Sequence, residues 1–245
     1  MVRMLVTRPE PDASETAGKL SALGIDPVVE PLLRYETLPT SLPDPAGFAA
    51  LVLTSGNALR ALHERGVIET YRHLRTYAVG DRTTNAARSL GLTDVISAHG
   101  DARDLVAVMA DDNLKGPVLY PAARERSANL GKALARHGVM VITAEIYGMT
   151  PATGLSPLVR GAIDQGDIAA ALFFSRRTAE SFIELSADIV GRTQLSLLCI
   201  SEAVATPFIK AHFGRVSLSD HPSEEAMLGL ALSFARGQKQ GMIAQ

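Results

Sequence analysis

The chain has 245 residues, of which 47% are hydrophobic and 20% are charged, which is enough apolar material for one large core or two ordinary ones. Its net charge of -2 argues against nucleic acid and anionic membranes as partners, so local donors must hold any anionic ligand. The single cysteine, Cys199, rules out an internal disulfide and favours a reducing compartment. Arg8 and Pro9 interrupt the opening apolar run, which is typical of a first strand rather than a signal peptide. We therefore expect a cytoplasmic protein.

Short apolar runs alternate with amphipathic helical segments from one end of the chain to the other. The runs lack strict polar alternation, which favours parallel sheets covered by helices on both faces. Strands are predicted at residues 4–7, 27–31, 48–54, 76–79, 95–97, 117–120, 139–143, 169–174, 196–200 and 216–218.

The two halves of the chain resemble each other. Residues 51–58 return as 172–179, and residues 77–83 return as 198–204, at an offset of about 121 positions. Each copy is an apolar run that ends in a hydroxyl residue or glycine and leads into a helix. This repeat predicts two similar lobes, with a ligand most naturally held between them.

Two proline-containing stretches interrupt the strand–helix alternation and are interpreted as extended connectors. They cover residues 35–45 and 147–157. The opening unit also resembles the unit at residues 118–143, so it could complete the lobe made by the C-terminal repeats. Periodicity alone does not separate this swapped connectivity from a simple division into two domains.

Candidate binding residues follow the predicted strands. Ligands of open parallel sheets gather at the carboxyl ends of the strands, where helix N-termini present unpaired N–H groups. Hydroxyls, arginines and backbone donors at these positions suit a ligand with several carboxylates, although helix N-caps require the same residue types. The candidates are Thr7, Arg8, Thr54, Ser55, Gly80, Thr83, Arg124, Arg126, Ser175 and Ser201.

Motifs for cofactors are missing, and one tyrosine is singled out instead. The sequence has no P-loop, no GxGxxG after its first strand and no metal-ligand spacing, so we predict neither cofactor nor metal. Tyr147 opens the second connector, and a neutral tyrosyl hydroxyl can assist a departing oxygen. The alternative is a tyrosine that packs one lobe on the other. Tyr35, in the first connector, could likewise pack one lobe on the other. No second observation in the sequence singles it out as a functional residue.

Ordered motifs give the chain a family resemblance that extends over nearly its whole length. It resembles the uroporphyrinogen-III synthases, which close a linear tetrapyrrole on the route to haem. The resemblance is carried, in order, by residues 5–9, 51–58, 77–83, 119–126, 146–147 and 173–175.

The resemblance implies an α/β fold of two similar lobes, each a parallel sheet flanked by helices, joined by a two-stranded extended linker. One lobe would combine residues 1–34 with 152–245. The other would comprise residues 46–145, and residues 35–45 and 146–151 would be the linkers.

The resemblance also implies a cofactor-independent lyase. We expect a monomer, because no large exposed apolar stripe in the sequence demands a partner. The substrate of the lyase would be hydroxymethylbilane, which is cyclised with inversion of ring D and loss of water. Tyr147 matches the tyrosine that assists loss of the hydroxyl, and Thr83, Ser55 and Ser175 match strand-end residues of the family. The turn at Ser201 departs from the pattern, because residues 201–204 lack the usual Gly-Pro followed by hydroxyl residues.

Two alternatives follow from the same residues. The main one is a two-lobed, non-catalytic binding protein for a polycarboxylate, which would not need Tyr147. A receiver-like interaction module is the other, but it should carry acidic residues after its first strand, where this chain has Thr7, Arg8 and Pro9.

Overall fold

The structure of the chain is a computed structural model, which describes residues 1–112, 114–126 and 129–243, with side chains through residue 238. The chain divides into two compact units. Unit 1 combines Met1–Arg34 with Thr150–Gln245, and unit 2 is Tyr35–Met149.

Strands and helices alternate along the described chain. The strands are β1 (Arg3–Val6), β2 (Asp26–Val29), β3 (Leu33–Thr37), β4 (Ala50–Leu53), β5 (Arg75–Ala78), β6 (Val95–Ser97), β7 (Val118–Ala123), β8 (Val141–Pro151), β9 (Ala170–Phe173), β10 (Ser196–Cys199) and β11 (Val216–Leu218). The α-helices are α1 (Asp12–Ala22), α2 (Gly56–Glu64), α3 (Asp81–Ser89), α4 (Ala102–Asp111), α5 (Leu130–Ala135), α6 (Pro157–Asp164), α7 (Arg176–Leu185), α8 (Glu202–Lys210) and α9 (Glu224–Ile243).

Unit 1 contains a five-stranded sheet in the order β11-β10-β9-β1-β2, and its strand pairs are parallel. Successive strand residues point to opposite faces, so each face buries its own apolar cluster. Leu5 and Phe173 pack on one face with side chains of α6, α7 and α8. Met4 and Leu172 pack on the other face with α1 and α9. The central strands β1, β9 and β10 are mostly apolar because both of their faces are covered.

Unit 2 is built around a six-stranded sheet in the order β3-β8-β7-β4-β5-β6, in which the pairs from β4 to β8 are parallel. Leu51 and Leu53 pack with α2 on one face. Val52 packs with α4 and α5 on the other face. The α2, α3 and α4 helices begin at the carboxyl ends of β4, β5 and β6, so their N-termini lie at that edge of the sheet.

The predicted fold class is confirmed in its main terms, since each unit has a sheet of parallel strand pairs flanked by helices, with β3 added as an antiparallel edge strand in unit 2. The linker role of residues 35–45 and 146–151 remains a prediction. One strand is longer than predicted: the sequence predicts residues 139–143, whereas β8 runs from Val141 to Pro151. Its later residues pair with the end of β7 across a bulge at Ala122/Ala123, and Pro151, which has no N–H to donate, is its last residue. Tyr147 therefore lies within a strand.

None of the helices in the described part of the chain has the length and apolar character needed to cross a membrane.

Candidate functional site

Two consecutive hydroxyl residues follow β4 in unit 2, and a tyrosine lies near each of them. The Thr54 hydroxyl lies 2.9 Å from the hydroxyl of Tyr120 on β7. Ser55 lies near enough to the Tyr147 phenol to favour its ionised form. Ser55 is also the N-cap of α2: its backbone is extended, and its Oγ accepts the Asn57 N–H at 3.2 Å. The strand ends of unit 2 thus carry a cluster of two phenols and two aliphatic hydroxyls.

Tyr147 is the register partner of Ala123, the last residue of β7. It therefore lies at the edge of the sheet where the parallel strands end, although β8 itself continues to Pro151. The side chain is 5% exposed and belongs to the core of unit 2. Burial raises the pKa of Tyr147, and the nearby Ser55 side chain offsets only part of that increase. The phenol is therefore neutral at physiological pH and carries a proton that it can donate.

A second ring lies against Tyr147. The rings of Tyr35 on β3 and Tyr147 are stacked, with centroids 5.9 Å apart and planes 26° apart. The guanidinium of Arg60 on α2 lies 4.0 Å from the centre of the Tyr35 ring. Both aromatic residues are thus packed against other groups of unit 2.

Gly80 and Thr83 occupy the turn after β5. Gly80 is the N-cap residue of α3 and has an extended backbone. Thr83 lies in the first turn of that helix and is 7% exposed. The next residue, Thr84, donates its hydroxyl to the Gly80 carbonyl at 3.1 Å. The backbone N–H groups of this first turn are the donors that an anion would use here.

Arg124 and Arg126 lie just beyond β7, where they pair with carboxylates of the protein. Arg124 contacts Glu36 at 2.8 Å and Glu125 at 2.9 Å. Arg126 contacts Glu145 at 2.8 Å. The two arginines and Tyr120 also line a cavity of about 380 Å³. A ligand carboxylate would have to replace or share these partners.

Two of the candidates in unit 1, Thr7 and Arg8, have side chains engaged within that unit. Thr7 is fully buried, and its hydroxyl donates to the Leu172 carbonyl at 2.7 Å, so it links β1 to β9 and is not open to a ligand. Arg8 contacts Asp12 at 2.7 Å and Glu224 at 3.0 Å, and its guanidinium lies over the ring of Phe174. These contacts show that Arg8 helps to hold α9 against the rest of unit 1.

Ser175 and Ser201 are the N-cap residues of α7 and α8, as the capping interpretation of such residues predicts. The Ser175 hydroxyl accepts the Thr178 N–H at 3.1 Å and lies 2.6 Å from the Thr178 hydroxyl. The Ser201 side chain makes no capping hydrogen bond. Both serines are partly buried, and because the Ser201 hydroxyl makes no capping hydrogen bond, it is the more available of the two for a ligand.

No group of three or more His, Cys, Asp or Glu side chains in the described ranges is placed to hold a metal ion.

Comparison with known families decides which family this arrangement belongs to. The model of the family described as uroporphyrinogen-III synthase HemD matches residues 14–229, which is most of the chain. The chain belongs to the uroporphyrinogen-III synthase family.

Named relatives of this uroporphyrinogen-III synthase family member are distant in sequence. A porphyrin biosynthesis protein HemD from Ruminiclostridium josui is 24% identical over 250 residues, covering 96% of this chain and 49% of that protein. The chain thus spans about half the length of that relative. A uroporphyrinogen-III synthase from Chlorobaculum parvum is 23% identical over 206 residues, covering 80% of this chain and 82% of that protein.

Solved structures of the family share the fold. Uroporphyrinogen-III synthetase from Helicobacter pylori superimposes with a TM-score of 0.67 at 20% identity, covering 95% of this chain and 99% of that one. A mutant uroporphyrinogen III synthase from Thermus thermophilus superimposes with a TM-score of 0.57 at 17% identity, covering the whole of both chains. At these identities the likeness concerns the fold alone.

Sequence analysis of this uroporphyrinogen-III synthase family member missed Tyr120, which belongs to the strand-end cluster, and Tyr35, which stacks on it. Tyr120 stands inside a motif that carried the family resemblance, but nothing in the sequence shows that it reaches Thr54 on another strand. Tyr35 was set aside for lack of a second reason, and its stacking on Tyr147 supplies one.

Proposed function

We propose that the chain is an active uroporphyrinogen-III synthase, a lyase that cyclises hydroxymethylbilane with inversion of ring D and loss of one water molecule. The family match over residues 14–229 carries this proposal. The buried, neutral phenol of Tyr147 at the strand-end edge of unit 2 gives it a chemical basis.

Loss of the terminal hydroxyl is the first step. The Tyr147 phenol donates a hydrogen bond to that hydroxyl oxygen, which makes it a better leaving group. The C–O bond breaks, its electron pair leaves with the oxygen, and the oxygen leaves as water after gaining a proton. The remaining carbon becomes the electrophilic end of an azafulvene cation.

Inversion of ring D follows from attack at that carbon. The substituted α-carbon of ring D forms the new C–C bond and gives a spiro intermediate. The older bond from this α-carbon to its bridging carbon then breaks, and the bridging carbon bonds to the free α-carbon of ring D, which loses a proton. The product is the substrate minus one water, with no net oxidation or reduction, so we propose that no cofactor takes part.

Substrate carboxylates would bind to the strand-end donors. Holding the bilane so that ring D meets the cation before water does can supply roughly 7–11 kcal/mol, because orientation replaces a search among many conformations. Thr7 and Arg8 are left out of this set because their side chains serve unit 1 itself. The proposed contacts are Ser175 and Ser201 in unit 1, and Thr54, Ser55, Gly80, Thr83, Arg124 and Arg126 in unit 2.

We also propose that the protein works in the cytoplasm and as a monomer. The single, buried cysteine is compatible with a reducing compartment. Size-exclusion chromatography with light scattering tests the monomer, for which a mass near 26 kDa is expected.

The test of the activity is the identity of the porphyrin isomer. The protein is incubated with freshly generated hydroxymethylbilane, the products are oxidised, and the isomers are separated. Type III uroporphyrin is expected. Type I alone, from protein shown by circular dichroism to be folded, would falsify the enzymatic proposal and favour the non-catalytic binding protein.

A further inference from the structure

We propose that Tyr35 is a positioning residue for the reaction, fixing the ring of Tyr147 so that its hydroxyl meets the departing oxygen. This inference rests on the proposed function, in which Tyr147 is the catalytic residue. It is carried by the packing around the two rings in unit 2.

The first observation is the stack itself. The centroids of Tyr35 and Tyr147 lie 5.9 Å apart with an interplanar angle of 26°, an offset-stacked arrangement that aromatic pairs favour. Tyr147 is buried and joins the unit 2 core, and Tyr35 packs against the same core from a partly buried position. The Tyr35 ring therefore restricts the rotation of Tyr147 from the side of the edge strand β3.

The second observation is that Tyr35 is itself held from two sides. Its ring lies under the Arg60 guanidinium, 4.0 Å from ring centre to Cζ, and its hydroxyl lies 3.1 Å from the Thr37 hydroxyl. Thr37 donates to Glu64 at 2.5 Å, and Glu64 accepts from Arg60 at 2.8 Å. These contacts form a closed ring from Tyr35 through Thr37, Glu64 and Arg60 back to Tyr35.

The third observation is that α2 lies beside both tyrosines. Its N-cap, Ser55, lies near enough to the Tyr147 phenol to affect its pKa. Further along the same helix, Arg60 and Glu64 hold Tyr35, which stacks on the Tyr147 ring. The position of the Tyr147 ring therefore depends, through Tyr35, on one rigid helix, and such fixed placement preorganises a proton donor.

The experiment compares Tyr35→Leu with Tyr35→Phe under steady-state and single-turnover conditions. Leucine removes the stacking ring, whereas phenylalanine keeps the ring and loses only the bond with Thr37. A misplacement of about 1 Å can cost roughly 100-fold in rate. We expect Tyr35→Leu to lower kcat by about 10- to 100-fold with KM changed little, and Tyr35→Phe to retain most of the wild-type kcat.

A double mutant separates positioning from a merely structural role. If Tyr35 acts through Tyr147, then Tyr35→Leu should cause little further loss of kcat in a Tyr147→Phe background. Tyr71→Leu is the matched control: Tyr71 is another buried tyrosine of unit 2, but its hydroxyl donates to the Pro43 carbonyl and it does not stack on Tyr147. Its kcat per folded molecule should stay at the wild-type value.

If Tyr35→Leu does not fold, Arg60→Met replaces it as the test variant. This substitution removes the guanidinium that packs on Tyr35 but leaves both rings. We expect it to lower kcat without raising KM. Two results would overturn the inference while the proposed function stands. One is a wild-type kcat in Tyr35→Leu or Arg60→Met. The other is that Tyr35→Leu lowers kcat by the same factor in the wild-type chain and in the Tyr147→Phe background. Absence of type III product from the wild-type chain would instead remove the proposed function.

Discussion

Replacing Thr7 with valine should destabilise unit 1 without weakening substrate binding. Thr7 is fully buried, and its hydroxyl donates to the Leu172 carbonyl at 2.7 Å, linking β1 to β9 in the middle of the sheet. Valine has nearly the same shape, so the substitution removes the hydrogen bond and opens little space.

The expected size of the effect follows from that geometry. Leaving a buried carbonyl without this donor costs about 1–3 kcal/mol of the free energy of unfolding. A loss of about 2 kcal/mol lowers the melting temperature of a chain of this size by roughly 4–8 °C. Thr7→Ser keeps the hydroxyl and loses a buried methyl, at a cost of about 1 kcal/mol.

The assay pairs thermal melting with steady-state kinetics at a temperature where all variants are folded. KM for the bilane should be unchanged in both Thr7→Val and Thr7→Ser. If instead Thr7→Val raised KM severalfold while Thr7→Ser did not, the hydroxyl would be a substrate contact and its assignment to the fold would be refuted.

Further predictions concern Tyr147, the carboxylate of Glu224 on α9 and the buried Cys199. Tyr147→Phe should lower kcat about 100-fold while product affinity stays the same, because donation of its proton is lost; unchanged turnover would remove Tyr147 from the mechanism. Burial disfavours ionisation of Glu224, but Lys19, Arg8 and Thr16 outweigh it and hold its pKa below the ordinary value. Its interactions therefore stabilise the fold above about pH 4.5 and are lost as the pH falls through the lowered pKa. Glu224→Gln should lower the melting temperature more at pH 7 than at pH 3, and equal lowering at both would contradict the ionic role. Burial raises the pKa of Cys199 to about 12, so iodoacetamide at pH 8 should add mass only as fast as the chain unfolds; rapid labelling of the folded protein would show that Cys199 is not in the core.

Much of the fold could be predicted because each strand is a short apolar run followed by a helix start. Residues 95–97 and 216–218 coincide with β6 and β11. The end of β8 was missed because its later residues mix Glu145, Gly148 and Pro151 with apolar ones, and only pairing with β7 keeps them extended.

The candidate site was predictable by residue type but not by role. Thr7 and Thr54 both follow a first-half strand, yet Thr7 bonds the carbonyl of a residue 165 positions away, whereas Thr54 meets a tyrosine 66 positions away. Arg8 is engaged by Glu224, which is 216 positions away. Such pairings depend on strand order and register, which a single sequence does not display.

The most direct test of the account measures the isomers formed from hydroxymethylbilane by the wild-type chain and by Tyr147→Phe, beside a sample without protein. We predict that the wild-type chain gives type III product faster than the bilane closes by itself, and that Tyr147→Phe gives a mixture in which spontaneous type I product dominates. Type I product at the spontaneous rate in all three samples would contradict the account.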